Sequence, residues 1–215
     1  MIDYRVYLVT DDPSRYKGNW LDNVRAAVEG GVTCVQYRDT QSPGHRQYER
    51  ILALRDAIGP TAIVVNNDPE LARAVHAEGV HVGQGDLPPS AVRAIVGHGC
   101  EIGYSITDFR QLETKRSEIR SCDCLGVGPV FDARKTKADA AAAMGVAGFR
   151  QIAATLPEFP MVAIGGITLG NAAEVISAGA GGLALVSAFS QAEDPFEVAK
   201  GFKALFDGLP SLRHP

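Results

Sequence analysis

The chain has 215 residues, 46% of them hydrophobic, with 23 glycines and a formal net charge of −4. That length suits one large domain, or at the limit two small ones, and allows a sizeable core. Mild acidity gives no support to a nucleic-acid partner, and no stretch approaches the ~20 apolar residues of a membrane helix. The start, Met1-Ile2-Asp3-Tyr4-Arg5, is polar and carries no apolar signal region, so a soluble cytoplasmic protein is expected.

Along the chain, short apolar runs alternate with longer amphipathic stretches. Strands are expected at 5–10, 33–38, 62–66, 79–83, 101–105, 124–128, 161–165 and 183–187. Most are apolar throughout, as for parallel strands covered on both faces. Helical spacing links Leu21, Val24, Ala27 and Val28, and again Tyr48, Ile51, Leu52, Arg55 and Ile58. Asp68 before Pro69, Pro88-Pro89-Ser90, and Asp194 before Pro195 mark helix starts; Gly30-Gly31, Gly59, Gly79 and Gly179 mark stops. Strict βα alternation leaves a closed barrel or an open doubly wound sheet. Eight strands, no G-x-G-x-x-G after the first, and polar residues at most strand ends favour an α/β fold of the (β/α)₈ TIM-barrel class, one domain over 1–215. The loop from Asp132 to about Gly145 breaks the rhythm. It is long, basic and then alanine-rich, as lids at a barrel top often are.

The strand tips collect the chemistry. Strand two ends in Gln36-Tyr37-Arg38-Asp39, strand three in Asn66-Asn67-Asp68, strand four in Gly83-Gln84-Gly85-Asp86 and strand five in Gly103-Tyr104-Ser105. Strand six gives Gly126-Val127-Gly128-Pro129, followed by Arg134-Lys135-Thr136-Lys137. Strands seven and eight exit through Gly165-Gly166-Ile167 and Val186-Ser187-Ala188, where a (β/α)₈ barrel usually builds its phosphate site. The arginine fork of Arg38 suits phosphate oxygens. Asp68 or Asn67, with Asp86, suits a hard cation such as magnesium. Each has a plainer reading: a surface ion pair for Arg38, a helix cap for Asp68, a turn for Asp86, solvated charge for Lys135 and Lys137. Joint placement at one barrel face favours function.

Cys34, Cys100, Cys122 and Cys124 have no second pair at zinc-site spacing, and we read them as buried free thiols. His81, inside Val80-His81-Val82, reads as a core histidine, and no Ser-His-Asp order or nucleophile elbow is present. Phosphate and cation ligands without an evident acid–base pair suggest chemistry driven by a leaving diphosphate.

From Tyr7-Leu8-Val9-Thr10-Asp11 to Ser190-Gln191-Ala192-Glu193-Asp194-Pro195 the chain resembles the thiamine-phosphate synthase family. The resemblance is carried by Gly79-Val80-His81-Val82-Gly83-Gln84, Asp86-Leu87-Pro88, Gly126-Val127-Gly128-Pro129-Val130-Phe131, Thr136-Lys137, Ala163-Ile164-Gly165-Gly166-Ile167 and Val186-Ser187-Ala188. It implies a transferase that joins a hydroxymethylpyrimidine diphosphate to a thiazole phosphate and releases diphosphate through a pyrimidine carbocation. It further implies that Gln36 and Arg38 bind the pyrimidine diphosphate and that Asn66 lies near the ring. Asp86, with Asn67 or Asp68, would hold Mg²⁺, and Ser105 and Lys137 would contact the diphosphate. Thr136, Gly165, Gly166, Val186 and Ser187 would bind the thiazole phosphate. Arg38, Ser105 and Lys137 carry the catalytic contacts in this reading. Small phosphorylated molecules are the expected partners, without nucleic acid or membrane, and a homo-oligomer is compatible with it.

Three positions depart from the family pattern: Thr40 where a lysine is usual, Asn67 where an aspartate is usual, and Arg134 where a threonine is usual. Two further readings therefore stay open, the thiazole tautomerase paralogue and a non-catalytic thiamine-precursor binder. The stretch Ser105-Ile106-Thr107 lacks the histidine wanted for the tautomerase. Isomerase barrels of aromatic amino-acid synthesis would need a paired acid and base that the strand ends do not offer.

Overall fold

In the computed structural model, which describes residues 1–133 and 141–207, eight parallel strands close into a barrel in sequence order. They are β1 (Val6–Val9), β2 (Cys34–Tyr37), β3 (Ala62–Asn66), β4 (Gly79–Val82), β5 (Glu101–Ile106), β6 (Cys124–Val127), β7 (Met161–Ile164) and β8 (Gly182–Leu185). The seam pairs Val6 with Leu183 and Leu8 with Leu185. The helices are α1 (Trp20–Gly30), α2 (Gly44–Ile58), α3 (Pro69–Ala74), α4 (Pro89–Val96), α5 (Gln111–Thr114), α6 (Arg116–Ile119), α7 (Gly145–Thr155), α8 (Ala172–Ser177), α9 (Ser187–Ser190) and α10 (Pro195–Phe206).

Two apolar layers explain why the strands read as continuous hydrophobic runs. Val6, Leu8, Val35, Ile63, Val80, Ile102 and Leu125 belong to the larger core shared with the helices. Tyr7, Val9, Cys34, Val64, Cys124, Val162 and Ala184 form a second cluster. The period of two places successive residues on opposite faces, so the second cluster fills the barrel interior. At its lower end, Glu101 of β5 accepts from the Ile2 amide (2.7 Å) and the Tyr4 hydroxyl (3.1 Å). The Tyr4 ring meets Tyr7 edge-on, with centroids 5.4 Å apart.

The helix signals hold in part. Asp68 caps α3 through the Leu71 amide at 2.8 Å, and Asp194 caps α10 through the Glu197 amide at 3.1 Å. Gly31, with φ of 122°, and Gly59 end α1 and α2. Gly79 stops no helix. It opens β4, and α3 has already ended, with the chain turning through His76 at φ of 52°. A side chain at Gly79 would press on the Glu101 carbonyl and Val64, so neighbouring strands account for this glycine. The last strand is also shorter than expected: it stops at Leu185, and Ser187 begins α9. All four cysteines are free and buried. Among the described residues, no helix is long and apolar enough to cross a membrane.

Candidate active site at the C-terminal ends of the strands

Gln36, at the upper end of β2, is buried, and its Nε2 donates to the Tyr7 hydroxyl inside the barrel at 2.7 Å. Burial pushes the Tyr7 phenol far up, so it stays a neutral anchor. Arg38 follows directly after the strand. Its amide donates to Thr10 Oγ1 at 2.8 Å, and the threonine hydroxyl returns a bond to the Arg38 carbonyl at 3.2 Å. Two adjacent strand exits are thus tied together. The Arg38 guanidinium forms no ion pair among the described residues, which removes the surface-pair reading. Asp39 accepts from Arg50 Nη1 at 2.6 Å, from the Tyr37 hydroxyl at 3.0 Å and from the Gln41 and Ser42 amides. Burial opposes its charge, but the Ser42 and Gln41 amides outweigh that and hold the carboxyl well below the usual range.

Over β3 and β4, Asn66 is half-buried and Asn67 is exposed. Asn67 takes a left-handed φ of 62°, which asparagine tolerates better than most residues. Its amide donates to the His81 carbonyl at 2.8 Å. Asp68 commits one carboxylate oxygen to the helix cap described above. Asp86 closes a turn, its Oδ2 accepting from the Gly83 amide at 2.6 Å. Both plainer readings are therefore real, and each carboxylate keeps its other oxygen free of hydrogen bonds among the described residues.

Ser105 on β5 is held from two directions by β4 and its loop. His81 Nε2 lies 2.9 Å from Ser105 Oγ, and Gln84 Nε2 donates to the Ser105 carbonyl at 2.6 Å. The His81 ring lies where the neighbouring strands carry no side chain. A Cβ on Gly103 of β5 would fall 2.4 Å from Nδ1, and one on Gly126 of β6 would fall 2.8 Å from Cε1. Burial lowers the imidazole to about 4, although the Asp86 charge pulls the other way.

Over β6 to β8 the site is built from backbone. Val130 and Phe131 donate their amides to the carbonyls of Ile164 and Gly165, at 2.9 and 3.0 Å. Gly165 and Gly166 have φ of 102° and 63°. Side chains there would strike Pro129 at 2.5 Å and Phe131 at 2.7 Å. Val186 and Ser187 are half-buried, Ser187 being the first residue of α9. The Phe189 and Ser190 amides of this turn donate to the Val186 carbonyl, at 3.0 and 3.1 Å. Arg134, Lys135, Thr136 and Lys137, together with most of the expected lid, lie outside the described residues.

A family model described as thiamine monophosphate synthase matches residues 6–189. The chain belongs to the thiamine monophosphate synthase family. It is accordingly a transferase. Similar relatives include a thiamine-phosphate synthase of Albidiferax ferrireducens, 42% identical over 209 residues and covering 95% of this chain and 93% of that one. Another, of Azorhizobium caulinodans, is 40% identical over 207 residues, with 95% and 96% covered. The solved thiamine phosphate pyrophosphorylase from Pyrococcus furiosus superposes with a TM-score of 0.83 at 31% identity, covering 95% of this chain and 96% of that one.

For a member of the thiamine monophosphate synthase family, the donor set over β3 and β4 fits magnesium. Asp86, Asp68 and Asn67 offer hard oxygen atoms on adjacent strand exits, and each of the two carboxylates has an oxygen to spare. Among the described residues, no three or more His, Cys, Asp or Glu side chains gather as a metal cage. Magnesium needs none, since it retains waters and takes phosphate oxygens.

The sequence reading missed Tyr7 behind Gln36 and the inward turn of His81 onto Ser105. A signal for the second existed: His81 pairs in register with Gly103, and Ser105 with Gly126. Two glycines beside one histidine mark space kept for a ring.

Proposed function

We propose that the chain couples 4-amino-2-methyl-5-(diphosphooxymethyl)pyrimidine to thiazole phosphate, giving thiamine phosphate and diphosphate, or to carboxythiazole phosphate with the further release of CO2. The observation that carries this reading is the guanidinium of Arg38, without an ion pair among the described residues, at the same end of the barrel as the doubly held Ser105. In this reading the pyrimidine methylene C–O bond breaks and its electron pair leaves with the diphosphate. The thiazole nitrogen lone pair then forms the new C–N bond. The residues act by positioning and by charge stabilisation. Gln36 and Arg38 hold the pyrimidine diphosphate, with Asn66 beside the ring. Ser105 and Lys137 donate to the departing oxygens. Thr136, the Gly165 and Gly166 backbone, Val186 and Ser187 hold the thiazole phosphate. Asp86 with Asp68 or Asn67 would hold Mg²⁺, which when bound supplies positive charge to the diphosphate. The reading assigns small phosphorylated molecules as partners and the cytoplasm as location; a homo-oligomer is compatible with it.

Purified protein given both precursors should form thiamine phosphate with magnesium present and none after chelation. Absence of product despite thiazole phosphate binding would overturn the reading in favour of the tautomerase or a binder. Asp86→Ala should abolish the magnesium-dependent reaction and leave thiazole phosphate affinity unchanged in calorimetry. Full activity in that variant would remove Asp86 from the cation site.

A further inference from the structure

His81 forms one side-chain hydrogen bond among the described residues, from Nε2 to Ser105 Oγ at 2.9 Å. Its ring occupies a slot that Gly103 and Gly126 leave open. A neutral imidazole has one N–H and one bare nitrogen, so two tautomers compete. With the proton on Nδ1, that N–H would have no protein acceptor among the described residues, so the tautomer whose N–H has an acceptor within reach is favoured. With the proton on Nε2, the N–H is satisfied by Ser105 Oγ. A serine oxygen that already accepts this bond keeps its own proton free to donate elsewhere. The serine backbone cannot swing away, because Gln84 holds its carbonyl at 2.6 Å.

We infer that His81 is a positioning residue: its Nε2–H donates to Ser105 Oγ and so aims the serine hydroxyl proton at an anionic oxygen of the leaving group. The inference rests on the proposed coupling reaction and deepens it. His81 itself touches no substrate. Its part is to choose which way the Ser105 O–H points, and the glycine slot exists to let the ring reach that oxygen. The opposite polarity, Ser105 donating to His81, would turn the hydroxyl proton away from the site.

Steady-state coupling by Ser105→Ala, His81→Leu and the double variant tests this. A hydrogen bond of ordinary strength corresponds to about tenfold in rate. Ser105→Ala should lose about that factor in kcat, with KM for thiazole phosphate unchanged, and His81→Leu should lose most of it. The double variant should be no slower than Ser105→Ala alone, because His81 acts through the serine. His81→Gln, which keeps an N–H donor near the same reach, should recover most of the rate. Losses that multiply in the double variant, or full activity in His81→Leu, would overturn the inference. Should His81→Leu fail to fold, Gly103→Ala decides, since it displaces the ring without deleting a polar group. It should slow the wild-type background and leave the Ser105→Ala background untouched; equal slowing in both sinks the idea. A wild-type protein with no coupling activity overturns the functional reading and this inference with it. An active wild type with multiplying losses overturns only the inference.

Discussion

Over β2 to β5 the barrel mouth is assembled from side chains that hold one another: Gln36 on Tyr7, Arg50 on Asp39, His81 and Gln84 on Ser105. Over β6 to β8 backbone lies directly on backbone, with Gly128 against the Ile164 carbonyl and Gly165 against Pro129. The two halves should respond differently to change. A side-chain lattice loses one bond at a time, whereas a backbone-to-backbone contact has no room for even a methyl group.

The comparison breaks first at Gly165. Gly165→Ala adds strain at a φ of 102° and a clash with Pro129, and together these should destabilise the fold by ~4 kcal/mol. Urea unfolding measures it, and a loss below 1 kcal/mol (on the order of a surface substitution) would show that the backbone half yields after all. Next in size is a pH effect in the side-chain half. Folded His81 resists the proton that the unfolded chain accepts at its ordinary value of 6.5, and titrates only at about 4. Stability present above 6.5 should therefore fall as pH drops towards 4, by about 3 kcal/mol, and flatten below. His81→Leu should erase that slope in denaturation midpoints taken across the interval; an unchanged slope would place its origin elsewhere. The smallest effect belongs to Arg50→Ala. The pair with Asp39 is partly buried, the side chains 24% and 6% exposed, and three other donors, the Tyr37 hydroxyl and the Gln41 and Ser42 amides, remain on the carboxylate. A loss of ~1 kcal/mol is expected. Asp39, held below its ordinary range, contributes stability that is present above about pH 3.8 and lost as pH falls further. Its window thus lies below that of His81, and the Arg50→Ala variant should differ from the parent least under strong acid.

Much of the barrel was legible because apolar runs of strand length alternated with helical spacing. All eight strands lie where expected, within two residues at their ends. Legibility failed where the deciding contact is distant. Gly79 looked like a helix stop, yet its neighbours are Val64 and Glu101 on other strands. Val186-Ser187 looked like strand, but β8 ends one residue earlier and α9 turns the chain. In the site, Arg38, Asp86, Ser105 and Gly165 were readable as strand-tip residues. The orientation of His81 was not, because a strand buried on both faces shows no polar–apolar alternation to tell inside from outside. Only the pairing of His81 with Gly103 across the sheet reveals it.

The seam between β1 and β8 carries a consequence for biosynthesis. Val6 finds its partner only when Leu183 exists, and a ribosome adding ~5–20 residues each second needs on the order of ten seconds to make the stretch between them. Throughout that interval β1 has one neighbour and one bare edge, a template for pairing with other nascent chains. Closure is the only event that removes both edges at once. Slowing translation of the last strand should therefore lower the yield of folded protein more than slowing the middle of the chain.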